Sequence, residues 1–191
     1  MYSQATPPYQ HYSLAMSASG HRIAIGSPGQ FGALYNNNRG WTFTYEWDGT
    51  NWVLYWGFQE GQAPRPNKPG KGWDVAMSGD GERFAAAQPT EVGNDAMDPA
   101  NSYSGRVTVN FHYSGYNQWM PVYQPIDGEH IGSHPTHVDL NHDGTKLIMA
   151  MDRNHGSTGN TGVQTGAVRV YQYFEDEADI RYRWGTTISG P

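Results

Sequence analysis

L-A-M-S-A-S-G-H-R-I-A-I-G-S-P (Leu14 to Pro28) returns as V-A-M-S-G-D-G-E-R-F-A-A-A-Q-P (Val75 to Pro89), and again as V-D-L-N-H-D-G-T-K-L-I-M-A-M-D (Val138 to Asp152). The central glycines, Gly20, Gly81 and Gly144, stand 61 and 63 residues apart. An internal repeat of this length decides the architecture before any single residue does. Within each copy an apolar strand leads to a turn on S-G or D-G and then to a second apolar strand. The second copy reads Val75, Met77, Asp80-Gly81, Phe84, Ala86, and the third Val138, Leu140, Asp143-Gly144, Leu147, Met149. Asp-Gly between alternating hydrophobics predicts a hairpin, closed by a type I′ turn with positive φ at both central residues.

A loop rich in Gly, Asn, Ser and Pro follows each hairpin (29–40, 90–105 and 153–166) and ends on a glycine. Alternation then resumes as Trp41, Phe43, Tyr45, Trp47; as Val107, Val109, Phe111, Tyr113; and as Val168, Val170, Phe174. Period two predicts strands with one buried face, and places Trp47 among the core residues. A fourth strand carries Trp52 and Val53, Trp119 and Met120, or Ile180, Tyr182 and Trp184. The acidic stretch Glu175 to Asp179 is expected to be a solvated hairpin loop, because like-charge runs face water. Each unit of roughly 60 residues thus offers four antiparallel strands, the size of a propeller blade. The expected fold is all-β: an N-terminal arm (1–11) and three four-stranded antiparallel propeller-like blades spanning 12–66, 73–128 and 136–190.

Composition agrees. The chain has 191 residues, 24 of them glycine, with 14% aromatic and only 16% charged residues, which suits short strands and tight turns rather than helical bundles. Net charge is −6 and Lys plus Arg total 12, so no basic stripe exists and nucleic acid is not an expected partner. The absence of cysteine excludes disulfides and thiolate metal sites. No apolar run approaches the ~20 residues that a membrane-spanning helix needs. Residues 1–11 are polar and contain proline, without an apolar signal core, so the chain is expected either to bypass the secretory route or to have lost a leader.

These residues resemble a known family. Ser17-Ala18-Ser19-Gly20 with Ile23-Ala24-Ile25-Gly26-Ser27-Pro28, Ser78-Gly79-Asp80-Gly81 with Phe84-Ala85-Ala86, and Asn141-His142-Asp143-Gly144 followed by Gly166-Ala167-Val168-Arg169-Val170-Tyr171 are similar to FG-GAP-type (integrin-like) β-propeller repeats. The resemblance implies an extracellular or virion-surface setting, and with it a non-enzymatic structural protein engaged in assembly or attachment. Closed propellers take at least four blades, so three imply completion. A second copy could supply it (a homo-oligomer), or other structural proteins of an assembly; otherwise the three sheets would face one another around a pseudo-threefold axis, as in a β-prism.

The resemblance also implies calcium. Asp139, Asn141 and Asp143 carry the oxygen spacing of the family's D-x-D/N-x-D-G loop, but no acidic ligand follows at Lys146 or Leu147. Ca²⁺ takes six to eight oxygens, so a turn favoured by Asp is the expected role and a bound cation the alternative. His130, His134 and His137 are read as a polar linker, because Gly132 and Pro135 prevent a helix that would converge them on a metal. No G-x-S-x-G elbow and no G-K-[ST] phosphate loop occurs. The aromatic load is the stronger lead. Trp56, Trp73, Tyr35, Tyr103 and Tyr116 lie near loops, where exposed rings make platforms for sugar faces or protein contacts. A carbohydrate-binding module built on those rings is the alternative function.

Overall fold

The computed structural model describes residues 12–28, 40–60, 70–89, 104–122, 125–128, 134–151, 166–176 and 179–189. Among the described residues thirteen strands run in chain order and form three antiparallel sheets, and no helix occurs. The first sheet is the meander β1 (Ser13–Met16), β2 (Arg22–Ser27), β3 (Trp41–Trp47), β4 (Trp52–Glu60). The second is β5 (Asp74–Met77), β6 (Arg83–Gln88), β7 (Arg106–Tyr113), β8 (Gln118–Pro121), with β9 (Ile126–Asp127) also on β7. The third is β10 (Pro135–Leu140), β11 (Lys146–Met151), β12 (Ala167–Asp176), β13 (Asp179–Ser189). Pairing of β12 with β13 reaches Asp176↔Asp179, so the acidic stretch sits at the end of a hairpin.

The second sheet has five strands rather than the expected four. β6 occupies one edge of β7, so β8 (on Asn110 to Tyr113) and β9 (on Arg106 and Val107) share the other edge as one interrupted strand. The buried Arg106 guanidinium fastens β9, with Nε 2.6 Å and Nη2 3.2 Å from the two carboxylate oxygens of Asp127. Such two-pronged pairing is the strong form of an ion pair.

The first hairpin of each repeat forms as expected, but its turn differs in type. Gly20, Gly81 and Gly144 donate to the carbonyls of Ser17, Ser78 and Asn141 at 2.9, 2.9 and 3.0 Å. Only the glycines, with φ of 72°, 74° and 65°, lie in the left-handed region; the residues before them do not. These are type I turns followed by a left-handed glycine, not type I′ turns. The cause is loop length. Four residues separate Ser17 from Arg22, whose N–H and C=O close the hairpin, and four-residue loops are built on type I turns. The residue opening each turn also uses its side chain. Ser17 Oγ, Ser78 Oγ and Asn141 Oδ1 accept the N–H of Arg22, Arg83 and Lys146 at 3.1, 2.9 and 2.7 Å.

The sheets stack in series. One face of the second sheet (Val75, Met77, Phe84, Ala86, Trp119) packs on Ala24 of the first sheet, with Ala15 and Tyr55 beside it. Its other face (Ala76, Ala85, Ala87, Val107, Val109) packs on Val138, Leu140, Leu147 and Met149 of the third. The middle sheet therefore buries both faces, each against a different neighbour. A β-prism, in which three sheets turn one face each toward a common axis, does not describe this arrangement.

Burial also corrects the expected phase of two strands. In β3 the buried residues are Thr42 and Thr44, while Trp41, Phe43, Tyr45 and Trp47 are half-buried. Thr44 lies opposite Ala24, so the face turned to the second sheet carries small side chains. Trp47 instead packs on Trp52 of its own sheet, ring centroids 5.6 Å apart. In β12 the buried residues are Ala167, Arg169 and Tyr171, opposite Met151, Met149 and Leu147, and Val168 and Val170 face outward.

Candidate functional site

Two seams hold neighbouring repeats in register. At the turns, Ala18 N–H donates to Gly79 O and Asp80 N–H to His142 O, both at 2.8 Å. Arg22 reaches Gly81 O at 3.0 Å and the Glu82 carboxylate at 2.7 Å. Arg83, one repeat later, reaches Asp143 O at 2.8 Å and lies over the Tyr173 ring, 4.6 Å from its centroid. Glu82 also meets His112 Nδ1 at 3.1 Å, and His112 Nε2 meets the Tyr55 hydroxyl at 2.8 Å. This network satisfies its own members across the first two sheets. Burial, then the Glu46 carboxylate, pushes the Tyr55 hydroxyl above its ordinary value.

The second seam lies at the opposite end of β1, β5 and β10 and opens as a recess of about 450 Å³. Tyr12, Ser13 and Leu14 line it from the first repeat, Trp73 and Asp74 from the second, Thr136 and His137 from the third. Counted from the turn glycines, Tyr12, Trp73 and Thr136 are equivalent positions, and so are Ser13, Asp74 and His137. Ser13 Oγ donates to Gly72 O at 3.1 Å. Asp74 Oδ2 accepts Val138 N–H at 2.9 Å and lies 3.6 Å from His137 Nδ1. Two aromatic rings, a carboxylate and an imidazole thus converge on one open recess, a set suited to holding a small polar ligand.

Of the residues singled out from the sequence, Trp73 lines the recess and Tyr116 does not. Tyr116 is exposed in the β7–β8 turn, 5.5 Å from the Tyr113 ring. Trp56 lies on β4 opposite Thr44, and its side chain is outside what is described. Tyr35 and Tyr103, like the arm 1–11 and His130, lie outside the described residues. The oxygens proposed for calcium serve the third hairpin. Asp143 Oδ1 accepts Thr145 N–H and Oγ1–H at 3.0 and 2.6 Å, Asn141 Oδ1 accepts Lys146 N–H, and Asp139 Oδ1 accepts Leu140 N–H at 2.8 Å. Asp139 belongs to a strand and not to the turn, so of the three side chains only Asn141 and Asp143 serve the turn. Among the described residues no group of three His, Cys, Asp or Glu side chains converges as a metal site.

No protein-family model matches the chain, and no curated protein matches it. Solved structures do. A Bacteroides uniformis protein provisionally designated a 6-phosphogluconolactonase, β-propeller-like in fold, matches at TM-score 0.54 and 13% identity over 93% of this chain and 40% of its own. KlAtg21, solved in complex with the coiled coil of AgAtg16, matches at TM-score 0.50 and 10% identity over 94% of this chain and 58% of its own. The chain spans less than two thirds of either protein's length. One neighbour bears an enzyme's name and the other is described by a binding partner; at such identity the likeness concerns fold alone.

Proposed function

We propose that the chain is a non-enzymatic structural and interaction protein of three propeller-like blades that works by docking through the open end of its stack. One observation carries this. Leu14 and Met16 on β1 are 71% and 58% exposed, whereas their equivalents Val75 and Met77 are 5% and 6% exposed and Val138 and Leu140 are 8% and 7%. Ile23, Ile25, Phe43, Tyr45 and Leu54 share that face by pairing register. In the later repeats the same positions rest on the preceding sheet; in the first they await one. A contiguous apolar face with Leu14, Met16 and Leu54 exposed on it marks an interaction site. The FG-GAP-type resemblance adds a setting, a virion or extracellular surface on which the protein mediates assembly or attachment.

Dye binding and mass test this together. Docking predicts either a solution mass above the 21.3 kDa of one chain or an anilinonaphthalene sulfonate signal that Met16→Asp removes. A 21.3 kDa chain that binds no dye sinks the proposal.

A second reading rests on the recess. Trp73 and Tyr12 beside Asp74 and His137 offer the ring faces and polar groups that hold a sugar. Saccharide titration followed by Trp fluorescence should then respond in the native chain and fail in Trp73→Ala; no response to any glycan on an array removes this reading.

A further inference from the structure

We propose that the occupant of the open first-sheet face is the third sheet of a second copy, so that two chains pair head to tail around a ring of six sheets. The inference rests on the docking function above and names its partner. Several elements of the internal seams recur at the two ends of the stack without the partner that their equivalents have. Arg22 and Arg83 reach the next repeat's turn; the equivalent residue of the third repeat, Lys146, is exposed and has no ion pair among the described residues. The turns that receive those arginines are crowded, for a Cβ on Gly144 would stand 2.6 Å from Arg83 Cδ and one on Gly81 3.4 Å from Arg22 Cδ. On Gly20 it would meet nothing closer than Met16 Sδ at 3.9 Å. One end thus offers a cation without a turn, and the other a turn without a cation.

The recess seam behaves alike. Ser13 bonds Gly72 O and Asp74 bonds Val138 N–H, each bridging to the following sheet; their equivalent, His137, is largely exposed. The packing faces match as well. Ala24 and Ala85 are the small residues pressed on the next sheet, and the equivalent residue is Ile148, 42% exposed, on the outer face of the third sheet. Val170 lies opposite Ile148 and Val168 opposite Ala150, which extends an apolar surface there. Ile148 would therefore seat against Leu14, Met16 and Ile23 of the other copy, as Ala24 seats against Val75, Met77 and Phe84 within one chain. A two-fold axis makes the two joints identical and leaves no open end, and six sheets fall within the four to eight blades of closed propellers.

The absence of cysteine makes the test clean. Two single variants, Met16→Cys and Ile148→Cys, are prepared separately and treated with a short bismaleimide, alone and mixed, at micromolar concentration. Both are first confirmed folded by far-UV circular dichroism. Head-to-tail pairing predicts a covalent dimer in the mixture at least tenfold above either variant alone. Efficient cross-linking of Met16→Cys with itself would mean head-to-head pairing and overturns the proposal. Absence of any mixed product overturns it too. In that event an anilinonaphthalene sulfonate signal that Met16→Asp removes keeps the docking function with a different partner, and no such signal defeats both.

Discussion

The Arg83 guanidinium donates to the Asp143 carbonyl at 2.8 Å, joining the second sheet to the third, one repeat after Arg22 reaches Gly81 O at 3.0 Å to join the first to the second. The two bonds land one residue apart on equivalent turns, so the stack is held by a repeated reach as well as by apolar contact. Arg83 also covers the Tyr173 ring. Arg83→Ala should cost about 1–2 kcal/mol, a charged hydrogen bond plus lost packing. Urea unfolding checks it; an unchanged midpoint would mean that the seam does not contribute.

Glycine at the turns separates local from inter-sheet strain. Gly20→Ala and Gly144→Ala both force a side chain to positive φ, costing ~1 kcal/mol or more. Only the second drives a Cβ into Arg83. In the isolated chain Gly144→Ala should destabilise more than Gly20→Ala, read as the difference in thermal midpoint. Equal effects would contradict the crowding of the second seam.

Leu147 and Met149 are fully buried between the second and third sheets. Leu147→Ala should cost about 2–5 kcal/mol in chemical denaturation. Ile148→Ala, on the outer face of the same strand, should cost under ~0.5 kcal/mol in a dilute chain. A reversal of that order would mean that β11 faces the other way.

The Asp143 carboxyl is held below its ordinary value of 3.8 by hydrogen bonds from Thr145, side chain first and backbone second. A carboxyl with a depressed folded value stabilises the fold above its unfolded value and loses that contribution as pH falls through the folded one. The third turn should therefore keep this contribution above pH 3.8 and lose it as pH falls below that value. An NMR titration of the Asp143 carboxyl that gave a midpoint at or above 3.8 would contradict the turn geometry.

Much of this was legible in the residues, for reasons that differ by element. The hairpins were legible because a turn-closing Ser or Asn and a left-handed Gly are local requirements of any such turn. The turn type was misjudged because Asp-Gly alone does not specify loop length. The buried face of β3 was misjudged because burial there depends on a neighbouring sheet. Thr42 and Thr44 face the second sheet beside Ala24, and the large rings fall on the side that no sheet among the described residues covers. The recess escaped notice because Tyr12, Trp73 and Thr136 share a position but not a chemistry, as do Ser13, Asp74 and His137. Only counting back from the turn glycines would have aligned them. Asp139, Asn141 and Asp143 match a calcium spacing in sequence; in the structure the oxygens of Asn141 and Asp143 bond within the third turn and Asp139 Oδ1 accepts Leu140 N–H in the strand, which shows how closely turn and cation loops share chemistry.

The most direct measurement is the absolute mass of the unmodified chain by light scattering across a dilution series. Head-to-tail pairing through Leu14, Met16 and Ile148 predicts twice 21.3 kDa at micromolar concentration, falling toward 21.3 kDa in Met16→Asp. A mass of 21.3 kDa at every concentration, or a series of ever larger assemblies, would contradict a closed ring of two chains.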